Sequence, residues 1–474
     1  MANIDRRKFI RQASCAAVGT TTFLSTMLNL KTLNAASILN STVNAQEDYK
    51  ALVCLFMSGG NDSYNMLVPR DNGANGAVSL YNTYKASRSN LALPFNSLLN
   101  LNHVLPGSTP FGLNPSLPKV ASLYGSGKLA FVSNVGTLVE PVATRSQLEN
   151  NSKQAPLGLY SHSDQGAQWQ TGIPNDRSAV GWAGKIADML QSVNTNDKIS
   201  MNISLSGTNV MQTGNNTVEF AIDPENGSIG IYGDNNDWLL NQVTKSSLNS
   251  LFADNYQDIF KKAYTRVIKN SREGNEILQT QLSVPTTYTT PFPETYLGNA
   301  FKMVANVIAK RSGLGMKRQI FFIDYGGWDH HDEVIAAQTE MFTEVDNALH
   351  SFNAAMNQLS VSDLVTTFSV SEFSRTLTSN GNGTDHGWGG NVMVMGGNVD
   401  GGKMFGTYPS LSLNSTIDLG GGVLIPSTST DAYFAELALW YGVPPSELST
   451  LFPNIGNFYN TSSGVKPIGF MKTI

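Results

Sequence analysis

The chain has little cysteine and little charge, and both shortages exclude classes of function. Only two cysteines, Cys15 and Cys54, occur among its 474 residues, which argues against a disulfide framework, an iron–sulfur cluster or a cysteine-rich zinc site. Charged residues make up 14% of the chain, well below the usual quarter or so. The net charge of −5 lacks the basic excess of nucleic-acid-binding proteins. We therefore expect no nucleic-acid partner.

Histidine is also scarce, but its placement predicts a metal site. Three of the six histidines lie beside carboxylates, in residues 326–332 and 384–387. A third polar segment, residues 371–376, adds another carboxylate. Each segment follows, or lies close behind, an apolar run typical of a buried strand. Carboxylates and imidazoles at strand ends are how α/β enzymes build metal sites, because the sheet fixes the ligands while the loops stay open.

The first residues predict export. Residues 5–10, Asp-Arg-Arg-Lys-Phe-Ile, resemble a bacterial twin-arginine signal, and the apolar stretch 13–30 is too short and too polar for a stable membrane span. We expect residues 1–45 to be a signal peptide, with cleavage after Ala45 or Ala35. The twin-arginine translocase would then export the folded protein to the periplasm or beyond. The alternative is a cytoplasmic helix that happens to contain Arg-Arg.

Strand and helix patterns alternate along the rest of the chain. Continuous apolar runs predict strands at residues 51–57, 129–132, 319–323, 364–368 and 391–395, and helical patterns occupy residues 179–193, 255–282, 294–311 and 335–359. This alternation predicts an α/β fold with a mostly parallel sheet covered on both faces. We expect one domain over residues 46–474, with a β-rich insertion near 206–234, where Gly, Asn and Thr are frequent.

Several acidic and histidine residues are candidate metal ligands. Asp329 and His331 would face the same side of an extended loop, with His330 pointing away. Each residue also has an ordinary structural role open to it, as a helix cap, a polar turn or an ion-pair partner. The candidates are Asp62, Asp329, His331, Glu372, Asp385 and His386.

A second group of residues offers catalytic chemistry. Ser161 or Ser163 has the position of a helix N-cap, and the amides of a helix N-terminus also suit a nucleophile that becomes an anion. His162 between them would orient a leaving group or a ligand. Arg375 would either pair with Glu372 or bind a substrate oxyanion.

These segments together resemble a known bacterial family. Residues 56–65, 161–169, 327–331 and 371–390 are similar to the motifs of the family called domain of unknown function 1501, which is placed in the alkaline phosphatase and sulfatase-like superfamily. The resemblance implies an α/β/α sandwich with a metal site at the carboxyl ends of the strands. The chain departs from the family at Asn391, where a histidine is usual, and at His330, where the family usually has threonine.

Two functions follow as hypotheses. The first is an exported, metal-dependent hydrolase of phosphate or sulfate esters, acting on a small molecule or a polymer with one or two divalent ions: zinc, manganese, magnesium or calcium. The second is a non-catalytic periplasmic binding or assembly protein on a degenerate hydrolase scaffold. Asn391 motivates the second, because losing an imidazole weakens or removes a metal.

The export prediction can be tested directly. Replacing Arg6 and Arg7 by lysine should leave the protein in the cytoplasm, because the translocase recognises the guanidinium pair. Cell fractionation measures the outcome. Export of the double variant at the wild-type level would contradict the prediction.

Overall fold

The computed structural model describes residues 48–71, 79–101, 110–228, 230–234, 237–254 and 256–473. The predicted signal peptide, with Arg6, Arg7 and Cys15, lies outside these residues. Cys54 is buried in the core with its thiol free. No helix in the described ranges is both long enough and apolar enough to cross a membrane.

The main sheet is built around the first strand of the described chain. The strands are β1 (Lys50–Phe56), β2 (Leu67–Pro69), β3 (Leu99–Leu101), β4 (Phe111–Leu113), β5 (Leu129–Gly136), β6 (Asn202–Ser204), β7 (Phe220–Ala221), β8 (Arg318–Asp324), β9 (Val365–Val370), β10 (Gly390–Gly396), β11 (Met404–Phe405) and β12 (Thr428–Ser429). Nine of these described strands form one sheet in the order β11-β5-β10-β9-β1-β8-β6-β7, with β12 also beside β5. The short strands β2, β4 and β3 form a separate antiparallel sheet.

Strand direction brings several chain segments to one edge of the main sheet. β1 is parallel to both neighbours, β8 and β9, and β6 and β7 continue in the same direction. β10 is antiparallel to β9 and to β5. The carboxyl ends of β1, β8 and β9 therefore lie at the same edge as the beginning of β10. Ligand sites of open α/β sheets form at this edge.

Helices cover both faces of the sheet. The helices of the described chain are α1 (Leu80–Arg88), α2 (Pro118–Gly125), α3 (Arg145–Glu149), α4 (His162–Thr171), α5 (Trp182–Leu190), α6 (Leu239–Ala253), α7 (Ile259–Leu282), α8 (Tyr296–Ala309), α9 (Val334–Gln358), α10 (Thr430–Tyr441) and α11 (Leu448–Leu451). Alternate residues of β1 face two separate cores, one shared with α8 and α9 and the other with α5 and α10. Because β1 is apolar on both sides, it can lie only at the centre of such layers.

The predicted α/β class and its main elements are confirmed. Each of the five predicted strands and four predicted helices has a counterpart in the structure, within a few residues at each end. Among the described residues of 206–228 and 230–234, the strand structure consists of the two-residue β7 and an isolated bridge between Asp223 and Gly227. The Asp223 carboxylate accepts hydrogen bonds from the amides of Glu225 and Asn226, so a side chain closes this turn in place of a strand ladder.

Asp431 should make the stability of the fold depend on pH. It lies fully buried in the first turn of α10, and both carboxyl oxygens lack a hydrogen-bond partner among the described residues. Burial raises the pKa of Asp431 to about 8, against the opposing charge of Lys185. The folded state therefore keeps this proton where the unfolded state loses it, and the free energy of unfolding should fall as pH rises from about 4 to about 8.

We expect Asp431→Asn to remove this dependence, which amounts to at most about 1.4 kcal/mol per pH unit. Urea denaturation of the wild type and the variant at several pH values measures the two slopes. Asp176→Asn, at an exposed carboxylate, is the control and should keep the wild-type slope. Identical slopes for wild type and Asp431→Asn would refute the assignment.

Candidate metal centre

Four side chains from three distant segments meet at this edge. His162 is the first residue of α4, Asp329 and His331 follow β8, and His386 precedes β10. The Nε2 atoms of His162 and His386 are 3.1 Å apart, and Asp329 approaches the same two nitrogens at 3.5 and 3.3 Å. These three residues place their ligand atoms within 4.8 Å of one another.

His331 joins the group from one side. Its Nε2 atom lies 3.1 Å from Nε2 of His386 and 3.1 Å from Oδ1 of Asp329. It is not part of the mutual trio with His162, so it flanks His386 and completes a cluster of three imidazoles and one carboxylate. The four side chains are between 24% and 48% exposed, so solvent reaches them.

The hydrogen bond at the other ring nitrogen of each histidine indicates which nitrogen carries the proton of the neutral ring. Nδ1 of His162 contacts Oε1 of Glu372 at 2.7 Å, Nδ1 of His386 contacts the carbonyl oxygen of Tyr160 at 2.8 Å, and Nδ1 of His331 contacts Oδ1 of Asp385 at 3.2 Å. A carbonyl or an ionised carboxylate can only accept, so each Nδ1 carries the proton. In a neutral imidazole, Nε2 is then a bare lone pair. Three such lone pairs and a carboxylate, facing one another, form a donor set that could hold a cation.

The donor set fits a single divalent ion. Ligands at about 2.0–2.1 Å from a tetrahedral zinc lie roughly 3.3–3.4 Å from each other. The two Nε2 atoms are 3.1 Å apart, Oδ2 of Asp329 is 3.5 Å from His162 and Oδ1 is 3.3 Å from His386. Imidazole nitrogens with one carboxylate suit zinc and similar transition metals better than magnesium or calcium, which prefer oxygen. Three ligands leave a further position for His331 or a water molecule. Among the described residues this is the one group of its kind.

Glu372 stands behind His162. Its carboxylate accepts hydrogen bonds from the amides of Gly59 at 2.8 Å and Gly60 at 3.2 Å, besides the bond from His162. Both glycines have positive φ, and a Cβ atom on Gly59 would lie 2.5 Å from the backbone nitrogen of Asp329. Glycine is therefore required here. A carboxylate that orients a ligating histidine in this way is typical of metal sites.

Arg375 holds Asp329. Its Nη1 donates to Oδ1 of Asp329 at 2.5 Å and to the carbonyl of Gly59, while Nε and Nη2 bond Thr384. Burial by itself would raise the pKa of Asp329, but the hydrogen bond and charge of Arg375, with His331 and His162, lower it. The guanidinium is fully buried, and its ion pair is with Asp329 and not with Glu372. Because its donors are engaged in these bonds, it is poorly placed to bind a substrate oxyanion.

The structure does not bring Asp62 to the cluster. The glycine turn directs its side chain inward, where it is fully buried in an ion pair with Arg88 of α1. Arg88 also bonds Asn65 and the carbonyl of Thr376. Asp385 lies behind His331 and also accepts from Asn380, so its observed bonds are those of an orienting carboxylate.

Ser161 and Ser163 occupy the start of α4. Ser161 is the N-cap, and its hydroxyl accepts from the amide of Asp164. Ser163 is exposed and lies 3.1 Å from the Ser161 hydroxyl. Asn391 is buried on β10 and bonds Asn134 and Ser63, so its side chain is engaged outside the cluster.

Two contributors to the site were not among the predicted site residues. Tyr160 supplies a backbone carbonyl to His386 from a left-handed conformation, with φ of 73°. Phe373 packs its ring against both His162 and His386. A backbone acceptor can be any residue type, so only the turn at Gly158, just before Tyr160, could have indicated it.

Comparisons with known proteins give a family and no activity. A family model described as "Protein of unknown function (DUF1501)" matches residues 49–420. No curated protein matches the chain. Two solved structures of a protein called Ps i-CgsB, with and without k-i-k-neocarrahexaose, are 12% identical, cover 86% of this chain and 77% of theirs, and have TM-scores of 0.35 and 0.34. Scores this low do not indicate a shared fold.

Replacing His386 tests whether this residue is a metal ligand or only packs against its neighbours. If it binds an ion, His386→Ala should abolish the stabilisation that zinc gives, about 2.7 kcal/mol at a hundredfold excess over Kd. A residue that only packs or makes a loop hydrogen bond would cost roughly 1 kcal/mol, independent of metal. Thermal unfolding with zinc and with chelator measures the difference.

The matched control is His350→Ala, a partly buried histidine on α9 away from the cluster. Its effect should be the same with zinc and with chelator. A melting-temperature shift for His386→Ala that chelator does not change would refute the metal centre.

Proposed function

We propose that this chain, which belongs to the DUF1501 family, is an exported metal-dependent hydrolase of phosphate or sulfate esters. The observation that carries the proposal is the convergence of the Nε2 atoms of His162, His331 and His386 and the Asp329 carboxylate at one point that is open to solvent. The resemblance to the alkaline phosphatase and sulfatase-like superfamily supplies the ester class. Export by the twin-arginine route to the periplasm or beyond is part of the proposal.

His162, Asp329 and His386 would hold one divalent ion, with His331 beside them. A bound ion supplies Lewis-acid chemistry, polarising an ester and lowering the pKa of water. The protein residues provide the geometry: Glu372, the Tyr160 carbonyl and Asp385 each hold one imidazole with Nε2 inward. Such orienting partners raise the basicity of the ligands and keep the ring tautomers fixed.

Water is the nucleophile that the surroundings favour. The Ser161 hydroxyl is occupied as a helix cap, and neither it nor Ser163 has a hydrogen bond to an imidazole among the described residues. In the reaction, a water oxygen forms a bond to phosphorus or sulfur as the bond to the ester oxygen breaks. The departing alcohol takes up one proton and the water loses one.

The position of Asn391 favours the hydrolase over the degenerate scaffold. Its amide bonds Asn134 and Ser63, and the imidazoles of His162, His331 and His386 form the cluster without it. A histidine lost at position 391 therefore leaves this donor set complete. The scaffold alternative predicts a stable fold that binds no metal.

The test combines metal analysis with ester hydrolysis. We expect the purified protein to bind about one zinc per chain and to hydrolyse p-nitrophenyl phosphate or sulfate, with manganese, magnesium and calcium compared. Glu372→Gln should lower metal affinity or activity by about 10- to 100-fold. His162→Ala should lower both further, because it removes a ligand.

Two serine variants serve as controls. Ser163→Ala should keep wild-type activity, and Ser161→Ala should cost about 1 kcal/mol of stability as a lost cap while activity per folded molecule is retained. Loss of turnover in Ser161→Ala with metal still bound would indicate that Ser161, and not water, is the nucleophile. Absence of both bound metal and hydrolysis in the wild type would refute the function.

A further inference from the structure

One helix of the described chain lies almost entirely on the protein surface. Helix α6 has no buried residue, although it begins with a strongly apolar run. Trp238, Leu239 and Leu240 are each at least 74% exposed, and Val243 and Leu251 are also exposed. Apolar side chains this large and this close together usually mark an interaction surface.

Helix α7 continues this surface. Ile259, Phe260, Tyr264 and Val267 are exposed, with Phe260 at 82%. At 100° per residue they lie on one side of the helix. Further along, Gly274 and Leu278 continue the same side and are buried against the body of the protein. The apolar stripe of α7 is therefore covered at its carboxyl end and uncovered at its amino end.

The two helices form one unit. Arg272 of α7 bonds Asn249 of α6 and packs over the ring of Phe252. It is also paired with Asp234 at 2.6 Å. We call the exposed apolar side chains of α6 and α7, together with Trp238, the hairpin face.

Positive charge lies beside the hairpin face. Residues 259–272 contain five lysines or arginines and residues 239–253 contain one, and neither range contains Asp or Glu. Lys261, Lys262 and Arg266 are exposed and form no ion pair with another described residue. They lie on the side of α7 opposite Phe260 and Val267. The nearby Asp258 caps the helix through the amides of Phe260 and Lys261. This local charge is opposite to the chain's net charge of −5.

We propose that the hairpin face binds the surface of an anionic lipid bilayer. A helix with Trp, Phe and Leu on one side and Lys and Arg on the other lies in the membrane interface, with the apolar side among the acyl chains and the cations at the headgroups. A second copy of the chain fits less well. Its own α6 and α7 offer the flanking cations no carboxylate within these two ranges, and helix pairs normally place opposite charges there.

Vesicle co-sedimentation of the mature chain, residues 46–474 without the predicted signal peptide, tests the proposal. We expect binding to vesicles of phosphatidylcholine mixed equally with phosphatidylglycerol, weaker binding to phosphatidylcholine alone, and weakening with added salt. Leu240→Asp with Phe260→Asp should lower binding at least about tenfold. Lys261→Gln with Lys262→Gln should lower it about 30-fold on anionic vesicles only.

Matched controls separate the hairpin face from the rest of the surface. Val465→Asp changes an exposed apolar residue elsewhere, and Lys302→Gln an exposed lysine of α8; both should bind as the wild type does. All of these sites are exposed, so melting temperatures should be unchanged. Equal binding by every variant would overturn the proposal. A dimer that Leu240→Asp with Phe260→Asp dissociates, without vesicle binding by the wild type, would overturn it in favour of a second copy.

Discussion

The candidate site depends on the carboxylate of Glu372 more than on any other single group. This carboxylate accepts hydrogen bonds from the amides of Gly59 and Gly60, in the turn after β1, and from the imidazole of His162, at the start of α4. Glu372 itself follows β9. Three elements that are far apart in the chain are thus joined by two oxygen atoms. Hydrogen bonds to an ionised acceptor are among the strongest in proteins, so the position of His162 is set by the sheet and not by its exposed surroundings.

Charge in the centre is arranged in two layers. The inner layer holds the Nε2 atoms and Asp329, whose negative charge Arg375 stabilises. The outer layer holds the hydrogen-bond acceptors, Glu372, Asp385 and the Tyr160 carbonyl. The outer acceptors keep protons on the far side of each ring, which leaves the near side free to bind a cation. Phe373 packs along two of the rings and limits their rotation.

The sequence predicted the edge of the sheet where the site lies, because apolar runs followed by polar residues identify strand ends. It could not rank the polar residues. Asp62 and Glu372 both follow buried strands, yet the positive φ angles at Gly59 and Gly60 carry Asp62 into the interior, where Arg88 pairs with it. His162 has the same local pattern as any residue after an N-cap. The contact between His162 and His386 depends on how α4 packs in the fold, and a local sequence pattern does not specify that packing. Any residue type could supply the backbone carbonyl that Tyr160 provides, so no sequence pattern identifies it.

The distance along the chain between the ligands has a consequence for the order of events during maturation. His162 and His386 are 224 positions apart in sequence, yet their Nε2 atoms are 3.1 Å apart. An unfolded chain holds such residues together only at a large loop-closure entropy, so an ion at the proposed centre would be captured only after β9, β1 and α4 have assembled. If the proposed centre binds an ion, metal uptake would be a late step, and the ion would stabilise a chain that has already folded instead of starting its folding.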